Sequence, residues 1–484
     1  MTSLPSPSAR ISVIVPMFNA GATVGETLDS LQSQTVRDWE AVIVDDGSTD
    51  EGPAVARARA DADPRITVLR QPNRGLSAAR NAGIEAARAP WLNFLDSDDW
   101  MLERGLETLL ELGATSPHGL ACAATRWRDA HGIDLNYSFT PGSATVTHAD
   151  LCSVNRFQVH AAIVARSALE HHRFDESLTA LEDWDLWLRL TAGGATWKAS
   201  PAAVAAYRLR PSSMSRNPGW MFDAASTVLD RHTRSDDPCA RRTRARFAVE
   251  HAAAWIHAGT TELARVRLCN APWLGGEHAP TLDSSVVAGA LGWRVPFLAC
   301  LPPCAWRDEK HAPALVAAAR RVLDALTAWG RLNSDDHPEV IASIARSSVD
   351  NAAVARWIAD RCVGARVVAL HGLGRNAAVL APVLAAAGHH LIGRDDASAP
   401  SAITDLGGVK VRVENPFPWA AVDTHVVCPT IAPKLEASLT GTASRGARVI
   451  KWADATADIS GADHQRLERL WACASVEPRA EMFA

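Results

Sequence analysis

Short apolar runs and longer helix-periodic stretches take turns along the first hundred residues. "ISVIVP" (Ile11 to Pro16) is a β-branched run that predicts a buried strand. "VGETLDSLQSQ" follows with Val24, Leu28 and Leu31 on one helical face. "EAVIVDDGSTD" again gives a strand that runs into turn residues, and "EGPAVARARADA" is helical. "RITVLRQ" predicts a third strand, "GLSAARNAGIEAARA" a helix, and "PWLNFLDSDD" a fourth strand. Strands that alternate with helices imply a mostly parallel sheet covered on both faces. Beyond Gly119 the pattern loosens. "HGLACAATRW" and "FQVHAAIVAR" predict further strands, "LEDWDLWLRLTAGG" a helix closed by glycines, and "TWKASPAAVAAYRLR" a return to the sheet.

From about Trp220 to Cys362 the chain is Ala-rich and helix-periodic, without strand runs. Alternation then resumes. "ARVVALHGLGRNAAVLAPVLAAAG" predicts strand, Gly turn and helix, and "HHLIGRDD", "DTHVVCPT" and "ARVIKWAD" predict more strands. The organisation expected is an α/β domain over residues 8–218, a helical middle over 219–362, a smaller Rossmann-like α/β domain over 363–455, and a tail over 456–484. The most apolar stretch, "SSVVAGALGWRVPFLACLPPCAW", is interrupted by Arg294, Pro296, Pro302 and Pro303. It falls short of the roughly 20 unbroken apolar residues of a spanning helix. A buried helical hairpin is expected there, with peripheral membrane association as the alternative.

Composition narrows the classes. The chain has 484 residues and a net charge of -5, so no global basic field invites nucleic acid. None of its nine cysteines forms a CxxC pair, which suits free thiols in a reducing cytosol. "MTSLPSPSAR" has no apolar h-region, so no signal peptide is expected. The expected location is cytoplasmic, with the inner face of the membrane left open.

The chemistry lies at the strand exits. The four expected strands end in Pro16-Met17-Phe18-Asn19, in Asp45-Asp46-Gly47-Ser48, in Asn73-Arg74-Gly75 followed by Arg80, and in Asp96-Ser97-Asp98-Asp99. Open parallel sheets bind ligands outside the carboxyl ends of their strands. Crowded carboxylates repel each other unless a cation lies between them, and Mg²⁺ or Mn²⁺ takes carboxylate and phosphate oxygens. A divalent ion that joins the Asp96–Asp99 cluster to a diphosphate would account for both.

"ISVIVPMFN", "SLQSQTVRDWEAVIVDDGSTD", "NRGLSAARNAGIEAARAPWLNFLDSDDW" and "LEDWDLWLRL", in this order, resemble the family 2 glycosyltransferases of the GT-A fold. The resemblance runs from Ile11 to about Arg216. It implies an inverting transferase that uses a nucleoside-diphosphate sugar and Mn²⁺ or Mg²⁺. It places Pro16, Phe18 and Asn19 near the nucleobase and ribose, with Asp46 bonded to the base, which favours a uridine donor. Asn73 and Gly75 join this donor-binding set, and Arg80 and Asn81 face the diphosphate, where an Arg fork suits phosphate. Asp96, Asp98 and Asp99 match the DxD region, with Asp98 as the main metal ligand and Asp96 or Asp99 assisting. Asp183, beside Glu182, matches the catalytic base, kept ionised by the helix N-terminus. "YRLRPSSMSR" resembles the closing segment Y-R-x-H-x-x-S-x-S, but Arg210 stands where the His would be. An Arg does not ligate a cation, so it would contact diphosphate oxygens instead. The acceptor implied is a glycan or a lipid-linked saccharide.

Gly372-Leu373-Gly374, with Ala377 as a third small residue and Asp395 and Asp396 about 20 residues on, has the spacing of a dinucleotide fingerprint. A degenerate module that packs without binding is the expectation, since this superfold says little about function. Two other functions compete with the transferase. A catalytically weak sugar-nucleotide-binding scaffold fits if Arg210 marks lost catalysis. Nucleotidyltransfer would want Lys or Arg in the loop after the first strand, and "PMFNAGATVG" has neither.

Overall fold

The computed structural model describes residues 9–234, 237–269, 281–347, 358–371 and 375–394, and shorter pieces between 403 and 470. Gly372, Gly374, Asp395 and Asp396 lie outside the described residues. The chain divides into two compact units, residues 1–302 with 324–332, and residues 303–323 with 333–484. The division runs within the helical segment.

The first unit opens with β1 (Ile11–Met17), α1 (Val24–Gln32), β2 (Trp39–Asp45), α2 (Gly52–Ala62), β3 (Ile66–Arg70), α3 (Leu76–Ala86) and β4 (Trp91–Phe94). It continues through β5 (Trp100–Met101), α4 (Gly105–Ala114), β6 (Leu120–Arg128), β7 (Asp134–Phe139), β8 (Thr145–Val146), α5 (His148–Ser153), β9 (Ala162–Ala165), α6 (Glu182–Thr191) and β10 (Trp197–Arg208). The sheet runs β3-β2-β1-β4-β9-β6-β10-β5, with β7 on β6 and β8 on β10. β1 pairs in parallel with β2 and with β4, and β2 with β3. Every residue of β1 and β2 is buried, which is why these strands read as continuous apolar runs rather than alternating ones. β9 then enters antiparallel to β4.

The chain steps outward from β1 to β2 and β3, then returns to β4 on the other side. A crevice forms where such winding reverses, and the carboxyl ends of β1 and β4 therefore frame a ligand site. Helix α3 comes very close to β1 here. A Cβ on Gly83 would stand 2.3 Å from Ile14 Cγ2, so only glycine allows this approach. That contact carries Arg80 and Asn81, one turn earlier on α3, toward the crevice.

Four helices follow in this unit: α7 (Pro218–His232), α8 (Pro238–His257), α9 (Thr261–Cys269) and α10 (Ser284–Leu298). α10 comes from the apolar stretch expected to be a buried hairpin, and it buries Val287, Leu291, Arg294 and Phe297. Its Trp293 and Phe297 rings lie 5.1 and 5.9 Å from the buried ring of Trp127 on β6. Arg294 Nη1 donates to the Ser215 carbonyl at 3.2 Å, and Arg216 Nη1 donates to Cys300 Sγ at 2.6 Å. The segment after β10 is thus tied to the helical part.

The second unit contains most of α11 (Ala312–Ala328), then α12 (His337–Ser347), β11 (Val367–His371), α13 (Arg375–Ala386), β12 (His390–Arg394), β13 (Ile403–Leu406), β14 (Val409–Val413), β15 (Thr424–Val427) and β16 (Arg448–Lys451). Its sheet order is β13-β14-β12-β11-β15-β16, parallel except for the β13–β14 pair. No described helix is long and apolar enough to cross a membrane.

Candidate active site

The three parallel strand ends lie level, with Met17 opposite Asp45 and Asp45 opposite Arg70. Asp45 is buried and accepts the Ser48 N–H at 2.8 Å, closing the turn after β2. Ser48 Oγ in turn accepts the Asn19 N–H at 3.0 Å, and Asn19 Oδ1 accepts the Thr49 N–H at 2.9 Å. Asn19 holds a left-handed φ of 51°, which Asn tolerates better than most residues. Gly47 has a φ of +80°, and a Cβ there would lie 2.8 Å from the Asn73 N. The β1, β2 and β3 exits are therefore one interlocked set of loops.

Asp46 completes this set. It accepts from Gln71 Nε2 at 2.8 Å, from the Arg74 N–H at 2.9 Å and from the Gly75 N–H at 2.8 Å. The carboxylate expected to touch a base is thus engaged in shaping the Asn73–Gly75 loop. Pro16 is buried inside β1, while Phe18, Asn19, Asn73 and Gly75 are exposed at the mouth.

Arg80 is 1% exposed. Its Nη2 donates to Asp96 Oδ1 at 2.6 Å and its Nη1 to Glu182 Oε1. Burial works against its charge, but Asp96 and Glu182 hold the guanidinium firmly protonated. The fork expected to meet a diphosphate instead joins the acidic loop to the start of α6. Asn81 pairs both ways with the Phe174 backbone, at 2.9 Å in each direction, so it fixes the chain before α6.

The acidic loop splits three ways. Asp96 keeps an exposed edge, its side chain 30% accessible. Asp98 pairs with Arg210. Burial, reinforced by Asp99 and Asp96, pushes the Asp98 carboxyl up to about 7 despite Arg210. Asp99 is buried, and its Oδ1 accepts the Arg208 N–H at 2.7 Å. Its Oδ2 lies 2.9 Å from Nδ1 of His160, a buried residue in the turn before β9. The pair lies off the line of a good hydrogen bond, yet burial of the ring is outweighed by the Asp99 charge, which raises the His160 pKa. Among the described residues, Asp96, Asp99 and His160 form the one group with the spacing of a metal site, their ligand atoms within 4.8 Å of one another.

Asp183 sits in the first turn of α6, after Leu181 in a left-handed φ of 58°. It accepts from the Trp184 N–H at 2.7 Å and from Asn155 Nδ2 at 3.1 Å. The expectation that the helix end keeps it ionised reverses. Burial and the neighbouring Glu182 charge outweigh the helix dipole and the Arg80 charge, and raise the Asp183 carboxyl to about 7.

Three residues escaped the sequence analysis. His160 sits in an apolar strand-like run that gave no signal. Asn155 holds the candidate base from an irregular loop. Arg208 was visible as the Arg of "YRLR", yet its role lies in four distant partners. It donates to Glu26 Oε2 at 2.6 Å and to the Asp98 and Ala130 carbonyls at 2.8 Å each, and it stacks 3.9 Å over Trp100. It clamps the acidic loop from behind.

Residues 12–172 match the family model described as Glycosyl transferase family 2. The chain is 43% identical over 101 residues to the uncharacterized glycosyltransferase EpsJ of Bacillus subtilis (strain 168), covering 21% of this chain and 29% of EpsJ. It is 30% identical over 218 residues to the succinoglycan biosynthesis protein ExoO of Rhizobium meliloti (strain 1021), covering 43% of this chain and 62% of ExoO. The crystal structure of S. aureus TarS 1-349 in complex with UDP-GlcNAc aligns at 18% identity and a TM-score of 0.42, covering 66% of this chain and 90% of that one. The chain spans about a third or less of the length of the first curated relatives it matches. The likeness to glycosyl transferase family 2 is thus carried by residues 12–172, about a third of the chain.

Proposed function

We propose that this protein transfers a sugar from a nucleoside-diphosphate donor, uridine-linked, to an acceptor hydroxyl with inversion, in glycan or surface-polysaccharide synthesis. One observation carries it. Buried Arg80 fastens Asp96 of the acidic loop to Glu182 of the α6 start, so donor-side and acceptor-side carboxylates share one crevice. Inverting transfer needs both groups, because the acceptor proton must leave on the face opposite the departing diphosphate.

The residues fit a divalent cation. Asp99 Oδ2 is a buried oxygen with only the off-line His160 Nδ1 beside it, and Asp96 reaches the same point from the solvent side. Asp96, Asp98 and Asp99 would hold Mn²⁺ or Mg²⁺. When bound, the cation would supply positive charge for the leaving diphosphate. The remaining work is done by side chains. Asp183 accepts the acceptor hydroxyl proton, and a carboxyl that titrates near 7 suits a base working at neutral pH. Arg80 positions Asp96 and Glu182. Asp46 arranges the Asn73–Gly75 loop beside the base pocket, with Phe18 and Asn19 at its rim. Arg210 shifts from Asp98 to the diphosphate oxygens when donor binds. The relative named for succinoglycan biosynthesis favours a polysaccharide acceptor.

The Arg210–Asp98 pair favours a second reading, a weak or inactive sugar-nucleotide binder, because it neutralises a DxD carboxylate. A thermal-shift screen of uridine, guanosine and deoxythymidine diphosphate sugars, with and without Mn²⁺, tests donor binding. Metal-dependent release of nucleoside diphosphate separates enzyme from binder. Stabilisation by no nucleotide sugar would sink both.

A further inference from the structure

His160 has no role in the function proposed above, yet it is the best-buried polar ring beside the acidic loop. It is 1% exposed, its Nε2 has no hydrogen-bond partner, and its Nδ1 has only the Asp99 carboxylate beside it. Burial disfavours charge on this imidazole, and the acidic loop, Asp99 first, outweighs that and raises its pKa, so the ring is drawn to the loop while its Nε2 stays unsatisfied. Its Nδ1 stands 2.9 Å from Asp99 Oδ2, off the line of a good hydrogen bond, and Asp99 Oδ2 has no second partner. Two ligand atoms close together but misaligned for each other suggest a shared third point. Cis ligands of an octahedral cation, each roughly 2.1 Å from the ion, stand about 3 Å apart. Asp96 supplies the third oxygen and the only edge open to solvent, because Asp99 is as buried as His160. Asp98, the expected principal ligand, is turned toward Arg210.

We infer that His160 is a nitrogen ligand of the site's divalent cation, which is held by Asp96, Asp99 and His160, with Asp98 outside the set. This rests on the metal-dependent reading above and revises its ligand set, with His160 in the place of Asp98. Mn²⁺ and Mg²⁺ both favour oxygen ligands, but Mn²⁺, a first-row transition ion, accepts one imidazole nitrogen among them more readily than Mg²⁺, which holds to near-ideal octahedral oxygen shells. The protein therefore selects Mn²⁺ over Mg²⁺ through a residue outside its DxD motif. The turn before β9 can hold His160 at this place because Asn93 of β4 fixes its backbone, with Asn93 Nδ2 donating to the His160 carbonyl at 3.0 Å and to the Ala162 carbonyl at 2.8 Å.

Pulsed electron paramagnetic resonance on the full chain loaded with Mn²⁺, alone and with uridine diphosphate, tests this directly. The bound Mn²⁺ should show coupling to a ¹⁴N nucleus that changes to ¹⁵N when the protein is grown on ¹⁵N-histidine. His160→Gln should lose the coupling and weaken Mn²⁺ binding by roughly tenfold or more, as loss of ligand-shell groups does elsewhere. Asp98→Asn should keep the coupling. The labelled wild type decides the matter even if His160→Gln fails to fold. Bound Mn²⁺ without histidine coupling, while Mn²⁺ still promotes donor binding, overturns the ligand assignment and leaves the transferase proposal standing. No Mn²⁺ bound under either condition overturns both.

Discussion

Replacing Asp183 by Asn should make the protein more stable at alkaline pH while it abolishes transfer. In the folded chain the carboxyl titrates at about 7, against 3.8 for the ordinary group, because burial and Glu182 disfavour its charge. With a raised pKa, its contribution is fully favourable below 3.8, where folded and unfolded chains are both protonated. It erodes as pH rises, since the unfolded chain ionises first, and the erosion levels off once the folded group also ionises near 7. A gap of roughly 3 pH units at about 1.4 kcal/mol each sets an upper limit of about 4 kcal/mol. Asp183 is mostly buried but keeps a partly exposed edge, where solvent screens the charge. We therefore expect about 1–2 kcal/mol between pH 5 and 8. Asn keeps the shape and can still accept from the Trp184 N–H, so packing is little changed. Urea unfolding of wild type and Asp183→Asn at pH 5 and pH 8 reads the difference. The variant should gain on the wild type as pH rises, bind donor normally and transfer nothing. Wild-type kcat/KM should climb with pH up to about 7, as a single ionised base requires. If the stability gap between the two proteins is the same at both pH values, the raised pKa is wrong and the argument for the base loses its physical support.

Other substitutions probe the frame. Arg80→Met leaves Asp96 and Glu182 facing each other without their cation, and should cost about 3–5 kcal/mol in urea unfolding; adding Glu182→Gln should recover part of it. Gly47→Ala forces a strained φ and a clash with the Asn73 backbone, and should cost about 1–3 kcal/mol and weaken donor binding measured by calorimetry. Arg208→Lys keeps the charge but cannot reach Glu26 and two carbonyls while stacking on Trp100. It should lower thermal stability by about 1–3 kcal/mol and lower kcat through the acidic loop.

The strands and their polar exits were legible because β1, β2 and β4 are buried on both faces, and an apolar run that stops at carboxylates marks a strand end. The partnerships were not. Arg80 meets Glu182 across 102 positions, and only the packing of α3 on β1 through Gly83 reveals it. Asp46 looks from sequence like a free recognition group, but the backbone of the Asn73–Gly75 loop takes both of its oxygens. His160 was hidden for the opposite reason: a lone polar residue in "FQVHAAIVAR" resembles a tolerated core histidine, and its relation to Asp99 is purely spatial. β13 and β14 were missed because "AITDLGGVKVRV" is short and glycine-broken, so no periodicity stands out.

The aromatic contact between Trp127 and α10 changes how the first unit should be thought of. A fragment that stops at residue 218, where motif logic would cut, bares the Trp127 ring and frees both Ser215 and Arg216 from their anchors. Arg210 lies on the same short span, between buried Leu209 and Ser215. The helices beyond the motif region thus work like the back of a hinge, and whatever displaces α10 will be felt by a guanidinium at the mouth of the crevice.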